Sequence, residues 1–317
     1  MKAIKVAVLM GGRSPEHEVS ISSGEEVLKN FPKQYVPIPV VISKDGKSWK
    51  MRSKRGFKLA NPFLIRKYAD LCFIAMHGPF GEDGTIQGTL EMVGIPYTGS
   101  GVLASSLGMD KIAFRKLMAF EKVPIPNYII LEKGQKLKIP KDLGGFPYCI
   151  KPCDQGSSVG VSIVRNRKDM KRALDAAFKF GDKVLIDEYI KGVELTCAVL
   201  GNEDALALPL VEIVPLKGEF FDYDSKYSEG GAEEISPARI SDRLTNKTQR
   251  LAVDIYKSLG CRGFARVDFI LRGDEPIVLE VNTIPGLTPT SLFPKAAMAA
   301  GISYKQLLDK IIKYASE

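Results

Sequence analysis

The first hundred residues alternate apolar runs of strand length with amphipathic runs of helix length, and this restricts the fold more than any other feature of the chain. Ile4 to Met10, Val36 to Ile42 and Asp70 to Met76 read as strands, and Val19 to Asn30 and Thr85 to Val93 as helices. Strands separated by helices predict a parallel sheet covered by helices. In such sheets ligands sit beyond the carboxyl ends of the strands. Two unusual loops follow strands here: Gly11-Gly12-Arg13-Ser14-Pro15-Glu16-His17-Glu18 after Met10, and His77-Gly78-Pro79-Phe80-Gly81-Glu82-Asp83-Gly84 after Met76. A Gly-Gly pair after a strand often serves only to turn the chain. The second loop holds more glycine and charge than a connector needs, and His77 is one of 2 histidines in the chain. A loop histidine bonded to backbone is the plain alternative there.

Near residue 98 the texture changes. Thr98-Gly99-Ser100-Gly101 forms a small-residue hinge, and Asp110-Lys111 then opens an amphipathic helix through Ala113, Leu117 and Phe120, with Asp110 as its N-cap. Lys111 in the first turn opposes the helix dipole, so a nearby anion would explain it, as would simple solvation. Phe146 to Pro152 reads as a strand ending in Lys151. The Gly and Ser-rich run Cys153-Asp154-Gln155-Gly156-Ser157-Ser158-Val159-Gly160-Val161 follows it. Such a loop can aim amides and hydroxyls at phosphate, with Lys151 as a point charge, or can merely turn a β-hairpin. It is not a Walker loop, because no Gly-Lys-Ser/Thr follows the glycines.

Further on, Arg167 to Lys179 is a helix, Lys183 to Ile186 a short strand running into Asp187-Glu188-Tyr189-Ile190, and Glu194 to Leu200 another strand. Val214 to Pro237 turns polar and reads as one long loop. Its Tyr223 to Ala232 portion is expected to be a lid that is mobile without ligand. Asp242 to Leu259, Ser291 to Ala300 and Tyr304 to Tyr314 carry helical spacing.

Phe264 to Leu271 and Ile277 to Asn282 read as two strands joined by the turn-like Arg272-Gly273-Asp274-Glu275. Side chains alternate across a strand, so Arg266 shares a face with Asp268, and Glu280 with Asn282. In an antiparallel hairpin Asp268 can lie opposite Glu280 and Arg266 opposite Asn282, leaving Val267, Phe269, Leu279 and Val281 on a core face. Two opposed carboxylates repel unless something positive sits between them. An Asp, Glu and Asn set is hard-oxygen chemistry suited to Mg²⁺ shared with phosphates. An exposed hairpin with a cross-strand ion pair is the alternative.

A net charge of +8 and a pI near 9.1 raise nucleic acid or an anionic small molecule as partners. The basic residues are scattered, however, with no Arg-rich arm, zinc-finger spacing or aromatic RNA-binding motif. The 5 cysteines, Cys72, Cys149, Cys153, Cys197 and Cys261, lie mostly in apolar runs and read as buried cytosolic thiols. No apolar stretch approaches membrane-spanning length, and Val6 to Met10 is too short for a signal peptide core.

Four segments in order give the chain a wider resemblance: Gly11 to Ser20; His77-Gly78 with Gly81-Glu82-Asp83-Gly84; Lys151-Pro152 with Gly156-Ser157-Ser158-Val159-Gly160; and Arg266-Val267-Asp268 with Glu280-Val281-Asn282-Thr283-Ile284-Pro285-Gly286. Together they resemble the D-alanine:D-alanine ligases of the ATP-grasp superfamily over the whole length. The resemblance implies an α/β, ATP-grasp fold of three α/β domains with ATP held between two sheets. The expected divisions are 1–98 (first D-alanine subsite), 99–190 (central) and 191–317 (lid loop and Mg²⁺ site). It also implies transfer of the ATP γ-phosphate to one D-alanine carboxylate and attack on the acylphosphate by the amine of a second D-alanine, for peptidoglycan.

By the same resemblance, Lys111 and Lys151 hold ATP phosphates with Ser158 in the nucleotide loop, Glu188, Tyr189 and Ile190 border the adenine, and Glu194 meets the ribose. Asp268, Glu280 and Asn282 would ligate two Mg²⁺ ions, with Mn²⁺ able to substitute, and Arg266 would stabilise the transferring phosphoryl group. Glu16 would anchor the first ammonium, supported by Ser157 and Tyr227, with His77 in the first subsite. Lys226 would reach phosphate from the lid, Gly286 would supply an oxyanion-hole amide, and Ser291 with Leu292 would line the second D-alanine pocket. Gln155 stands where several relatives carry an acidic residue, and Asp187 to Ile190 departs from the usual adenine edge. The expected partners are D-alanine and ATP in a cytoplasmic homodimer without nucleic acid or membrane. D-alanine:D-lactate or D-alanine:D-serine ligation, or a non-catalytic nucleotide-binding module, are the alternatives.

Overall fold

A computed structural model of the chain describes residues 3–53, 56–153, 156, 159–216 and 231–317. Strand β1 (Lys5–Gly11), a run of Val, Ala, Leu and Met with its core side chains out of solvent, lies between β2 (Val36–Ile42) and β5 (Leu71–Ile74), parallel to both. The expected parallel sheet is therefore present but incomplete. An antiparallel hairpin of β3 (Trp49–Ser53) and β4 (Gly56–Ala60) extends it in the order β4-β3-β2-β1-β5. Buried Trp49 and Met51 flank exposed Lys50, which is the pattern of a half-solvated antiparallel strand rather than a buried parallel one.

Helix α1 (His17–Lys29) packs on β1, and Gly24 permits the approach: a Cβ there would lie 2.7 Å from the Met10 Cβ. Helix α2 (Thr85–Val93) follows the second loop and stops at Gly94, whose φ of 70° is left-handed. The small-residue stretch at 98–101 leads into a helix that weak amphipathicity conceals, α3 (Val102–Met109). It packs on the far hairpin strand, where a Cβ on Gly108 would come within 3.1 Å of the Thr283 Cγ2. Helix α4 (Lys111–Phe120) begins where expected. The Asp110 carboxylate accepts from Ile112 N at 2.9 Å and Ala113 N at 3.0 Å, a cap contributing about 1 kcal/mol.

The second sheet is antiparallel: β6 (Tyr128–Glu132), β7 (Tyr148–Pro152), β8 (Ser162–Val164) and β9 (Lys183–Glu188) run in the order β6-β9-β7-β8. Helix α5 (Arg167–Ala177) covers it, closing a core that includes Ile150, Val164, Met170 and Ile186. The Gly and Ser-rich run does connect a hairpin, β7 to β8, and Ser157 and Ser158 lie outside the described residues.

The third sheet takes β10 (Val193–Leu200), β11 (Leu206–Ala207), β12 (Val211–Pro215), β13 (Ala232–Ile235), β14 (Phe264–Arg272) and β15 (Glu275–Asn282) in the order β13-β12-β10-β14-β15, with β11 on β10. Val214 to Pro237 is thus not one continuous loop. Pro215 pairs with Ala232, so the polar stretch enters and leaves through adjacent strands. Residues 217–230, with most of the expected lid and both Lys226 and Tyr227, lie outside the described residues.

Helix α6 (Asp242–Ser258) buries Ala252, Ile255 and Tyr256 against Val199, Val267 and Phe269 of this sheet. Helices α7 (Leu292–Ala299) and α8 (Tyr304–Tyr314) turn back to the first sheet, where Phe293, Leu307 and Ile311 join the core of Val8 and Val40. Tyr35 Oη and Gln34 Nε2 fasten that return by donating to Asp309 Oδ1, at 2.9 and 2.7 Å. Among the described residues no helix is long and apolar enough to cross a membrane.

Candidate active site

The β14–β15 hairpin has the register that alternation predicts, with Asp268 opposite Glu280 and Arg266 opposite Asn282. A β-bulge then places Phe269 opposite Val278 and leaves Leu279 without a partner. The expected core face is corrected accordingly: Val278 takes the core position, while Leu279 turns to line a cavity. That cavity, about 130 Å³, lies between the second and third sheets. Lys151, Val161 and Ile163 line it from one side, and Glu194, Asp268, Ile270 and Leu279 from the other, with Glu188, Tyr189 and Ile190 also in its wall.

A larger cavity of about 530 Å³ adjoins it, and Lys111 and Glu280 line both. Glu16, His77, Gly156, Arg266, Asn282, Gly286, Ser291 and Leu292 line the larger one. The structure therefore brings together every expected site residue that it describes. It also gives Lys111 the anion its helix position called for, because Lys111 Nζ lies 3.3 Å from Glu280 Oε2.

The amino-terminal wall is built by the two strand-end loops. Gly11 and Gly12 turn the chain with φ of 84° and 97°, and His17 Nδ1 is 2.7 Å from the Gly12 carbonyl. The charge of the second loop is largely structural. Glu82 Oε1 accepts from Gly78 N at 2.8 Å, and Asp83 accepts from Phe80 N at 2.8 Å and Thr85 N at 2.9 Å. His77 is 4% exposed; its Nε2 is 2.8 Å from Ser23 Oγ, its Nδ1 3.1 Å from the Ile284 carbonyl, and Glu82 Oε1 lies 3.8 Å away. Burial disfavours the charged imidazole, but Glu82, Glu16 and the Ile284 carbonyl outweigh it, and the pKa of His77 lies above its ordinary value.

Glycine at 78 is a requirement of the site. Its φ is 70°, and a Cβ there would meet Ser14 Oγ at 2.4 Å and Glu16 Oε1 at 2.7 Å. Gly78→Ala is therefore expected to displace Glu16 and, with Glu16 at the first amino acid as the resemblance implies, to raise the KM for that amino acid by about tenfold or more, the scale of 1 to 3 kcal/mol of local strain. Steady-state kinetics in that amino acid and in nucleotide separately check this; an unchanged amino-acid KM would contradict it.

Arg115 escaped the sequence reading, and Asp187 entered it only as part of the adenine edge. Arg115 and Asp187, each 1% exposed, form an ion pair at 3.0 Å, and Lys151 Nζ meets the same Asp187 oxygen at 2.8 Å. Burial works against the charge on Lys151, but Asp187 outweighs it and raises the lysine pKa. A signal existed: Arg115 falls on the apolar face of α4 with Phe114 and Met118, where a charge needs a partner. Thr196, also missed, donates its hydroxyl to Asp268 Oδ1 at 2.5 Å.

The Asp268 carboxylate is held in a fork, with Arg266 Nε 2.8 Å from Oδ1 and a terminal amino group 2.7 Å from Oδ2. Asn282 Oδ1 accepts from Ile284 N at 2.9 Å. Among the described residues no group of three or more His, Cys, Asp or Glu could hold a metal by itself. The set is instead two facing carboxylates and an amide oxygen, each carboxylate balanced by a cation that phosphate would attract. Those hard donors, too few to cage an ion alone, fit Mg²⁺ completed by phosphate and water.

Gly286 sits against the start of α7, where a Cβ would lie 2.9 Å from Ser291 Oγ. Thr288 Oγ1 is 2.8 Å from that same Ser291 Oγ. The Glu188 side chain accepts from Asn127 N at 2.9 Å, and Glu188, Tyr189 and Ile190 line the smaller cavity.

Comparison with known proteins agrees over the whole chain. The family model described as D-ala D-ala ligase N-terminus matches residues 5–100, and that for the D-ala D-ala ligase C-terminus matches residues 117–313. The D-alanine–D-alanine ligase of Pelotomaculum thermopropionicum is 45% identical over 99% of this chain and 97% of that protein. That of Desulforudis audaxviator is 44% identical over 99% of both. Among solved structures, the VanG D-Ala:D-Ser ligase from Enterococcus faecalis superposes with a TM-score of 0.87 at 33% identity, covering 99% of this chain and 100% of that one. The D-alanine–D-alanine ligase from Bacillus anthracis complexed with ATP gives 0.82 at 35% identity over 99% and 98%. With both family models in order and full-length relatives at this identity, the chain belongs to the D-alanine–D-alanine ligase family, of ATP-grasp architecture.

Proposed function

We infer that this chain joins two D-alanine molecules into D-alanyl-D-alanine, consuming ATP through a D-alanyl phosphate intermediate, for peptidoglycan precursor synthesis. The observation that carries this is the meeting of two cavities at Lys111 and Glu280, beside Arg266 and Asp268, in a chain aligned end to end with D-alanine–D-alanine ligases. The smaller cavity has apolar walls and a lysine, as a nucleotide base with phosphates requires. The larger has carboxylates, cations and small side chains, as two zwitterions require.

In this reading Glu188, Tyr189 and Ile190 border the adenine, Glu194 meets the ribose, and Lys111 and Lys151 hold phosphates. Glu16 anchors the ammonium of the first D-alanine beside His77. Arg266 stabilises charge on the transferring phosphoryl group, a positioning and electrostatic task. Gly286 supplies an oxyanion amide, and Ser291 and Leu292 line the acceptor pocket. Asp268, Glu280 and Asn282 hold Mg²⁺, as two ions replaceable by Mn²⁺, which neutralises phosphate charge when bound. Ser157, Ser158, Lys226 and Tyr227 complete the set by resemblance alone. We further propose a cytoplasmic homodimer of three domains, 1–98, 99–190 and 191–317, engaging neither nucleic acid nor membrane. Scattered basic charge supports the absence of nucleic acid, and cysteines that form no disulfide among the described residues support the cytoplasmic setting.

The likeness to a D-Ala:D-Ser ligase keeps D-serine as the second reading for the acceptor. Incubation with ATP, Mg²⁺ and D-alanine, alone or mixed with D-serine or D-lactate, is expected to release phosphate with D-alanine alone and to yield D-alanyl-D-alanine as the main product. Phosphate release that depends on D-serine or D-lactate would overturn the substrate assignment, and no release with any of them would overturn the ligase.

A further inference from the structure

Arg115 lies behind the smaller cavity and reaches two different sheets. One terminal amino group donates to Asp187 Oδ2 on β9 at 3.0 Å, and the other to the Val278 carbonyl on β15 at 2.8 Å. Asp187 Oδ2 is also the partner of Lys151 Nζ at 2.8 Å. One buried carboxylate is therefore shared between a cation that lines the nucleotide cavity and a cation that does not. Val278 N donates to the Pro124 carbonyl at 2.9 Å, so both outward groups of the edge strand at that residue are satisfied. The guanidinium is thus fixed against the edge strand at the residue before the bulge residue Leu279.

A carboxylate this deep is stable as an anion only while paired. If Lys151 were its sole partner, movement of the lysine toward phosphate would strand Asp187, and that cost would be subtracted from nucleotide binding. We propose that Arg115 is a positioning residue of the nucleotide site: it keeps Asp187 paired and in place, so that Lys151 can pass from Asp187 to the nucleotide phosphates without stranding a buried carboxylate. The proposal rests on the assignment of Lys151 to phosphate.

The other ionisable side chains placed around Asp187 are Cys149 beside Lys151 on β7, Tyr128 paired with it in register on β6, and Glu280 from the hairpin, itself bonded to Lys111. Burial pushes the Cys149 thiol up, away from neutrality. In an Arg115→Met protein, movement of Lys151 would leave Asp187 with neither of its two cations, and that cost would appear as weaker nucleotide binding.

The test is calorimetric titration of wild type, R115M, R115K and D187N with a non-hydrolysable ATP analogue and Mg²⁺. R115M is expected to bind about tenfold or more weakly. R115K, which keeps the charge, is expected to recover most of that loss. Wild-type affinity in R115M overturns the proposal, as does R115K binding no more tightly than R115M. If R115M does not fold, R115M/D187N leaves no charge to strand and is expected to bind like D187N; a further loss as large as about tenfold overturns the proposal. Lys151→Met binding as tightly as wild type would instead show that the assignment of Lys151 to phosphate fails.

Discussion

Glu280→Gln is expected to abolish turnover while leaving the fold intact. The substitution keeps side-chain volume and removes one negative charge from the pair that faces across the hairpin, Asp268 and Glu280. Changes to groups that merely support a metal ligand cost about 10- to 100-fold in activity, so loss of a ligand should cost at least that upper figure. The fold should tolerate the change because the Glu280 side chain is 31% exposed and its bond to Lys111 is a long one at 3.3 Å; such partly exposed pairs contribute about 1 kcal/mol or less. Phosphate release and a thermal melt on the same preparation check both halves. Wild-type activity in E280Q would sink the metal assignment, and a protein that no longer folds would mean that Glu280 is structural.

Arg266→Met is expected to be the more damaging change, because it removes two things at once. Without the guanidinium, charge developing on the phosphoryl group loses a preorganised donor, for which a fall of about 10² to 10³ in kcat is the usual scale. Asp268 also loses both arms of its fork and keeps only the Thr196 hydroxyl at 2.5 Å. Breaking a largely buried ion pair costs about 3 to 5 kcal/mol; these side chains are 13% and 15% exposed. Arg266→Lys keeps the charge but not the planar fork, so it should recover stability in part and kcat little. Saturating kinetics alongside denaturant unfolding separate the two effects. A kcat within a few fold of wild type in a folded R266M would remove Arg266 from the reacting phosphate.

The two replacements probe different kinds of charge. Glu280 is partly open to the cleft, and in the proposed role it would exchange Lys111 for a metal ion at little structural cost. Arg266 is embedded, and its pKa is held above even the ordinary arginine value: burial opposes the charge, but Asp268 and then Glu280 and Glu82 overcome it. It remains a fixed cation through any pH at which the protein is folded.

Period-two alternation specified the hairpin and its register, since Asp268 opposite Glu280 follows once two strands of that length pair through a short turn. Helical spacing and an N-cap specified α4, and the order of four polar segments specified the family. The alternation within each strand, the helix signal and each polar segment are local, carried by residues within a few positions of one another, where backbone geometry alone decides which side chains share a face. Packing between distant segments decided the rest. The bulge that turns Leu279 into the cavity leaves no mark on the alternation. Weak amphipathicity hid α3, and the end of β12 with all of β13 read as loop because their pairing spans the polar stretch.

The same division runs through the site. The sequence by itself determined which groups are present: carboxylates, two lysines and a histidine at strand ends and helix starts. Only the tertiary structure decided what each touches. His77 meets a carbonyl 207 positions away, and Arg115 meets Asp187 at 72 and Val278 at 163. Such pairs are fixed by the burial of charge, which requires a partner wherever the fold supplies one, and no local pattern encodes which partner that is.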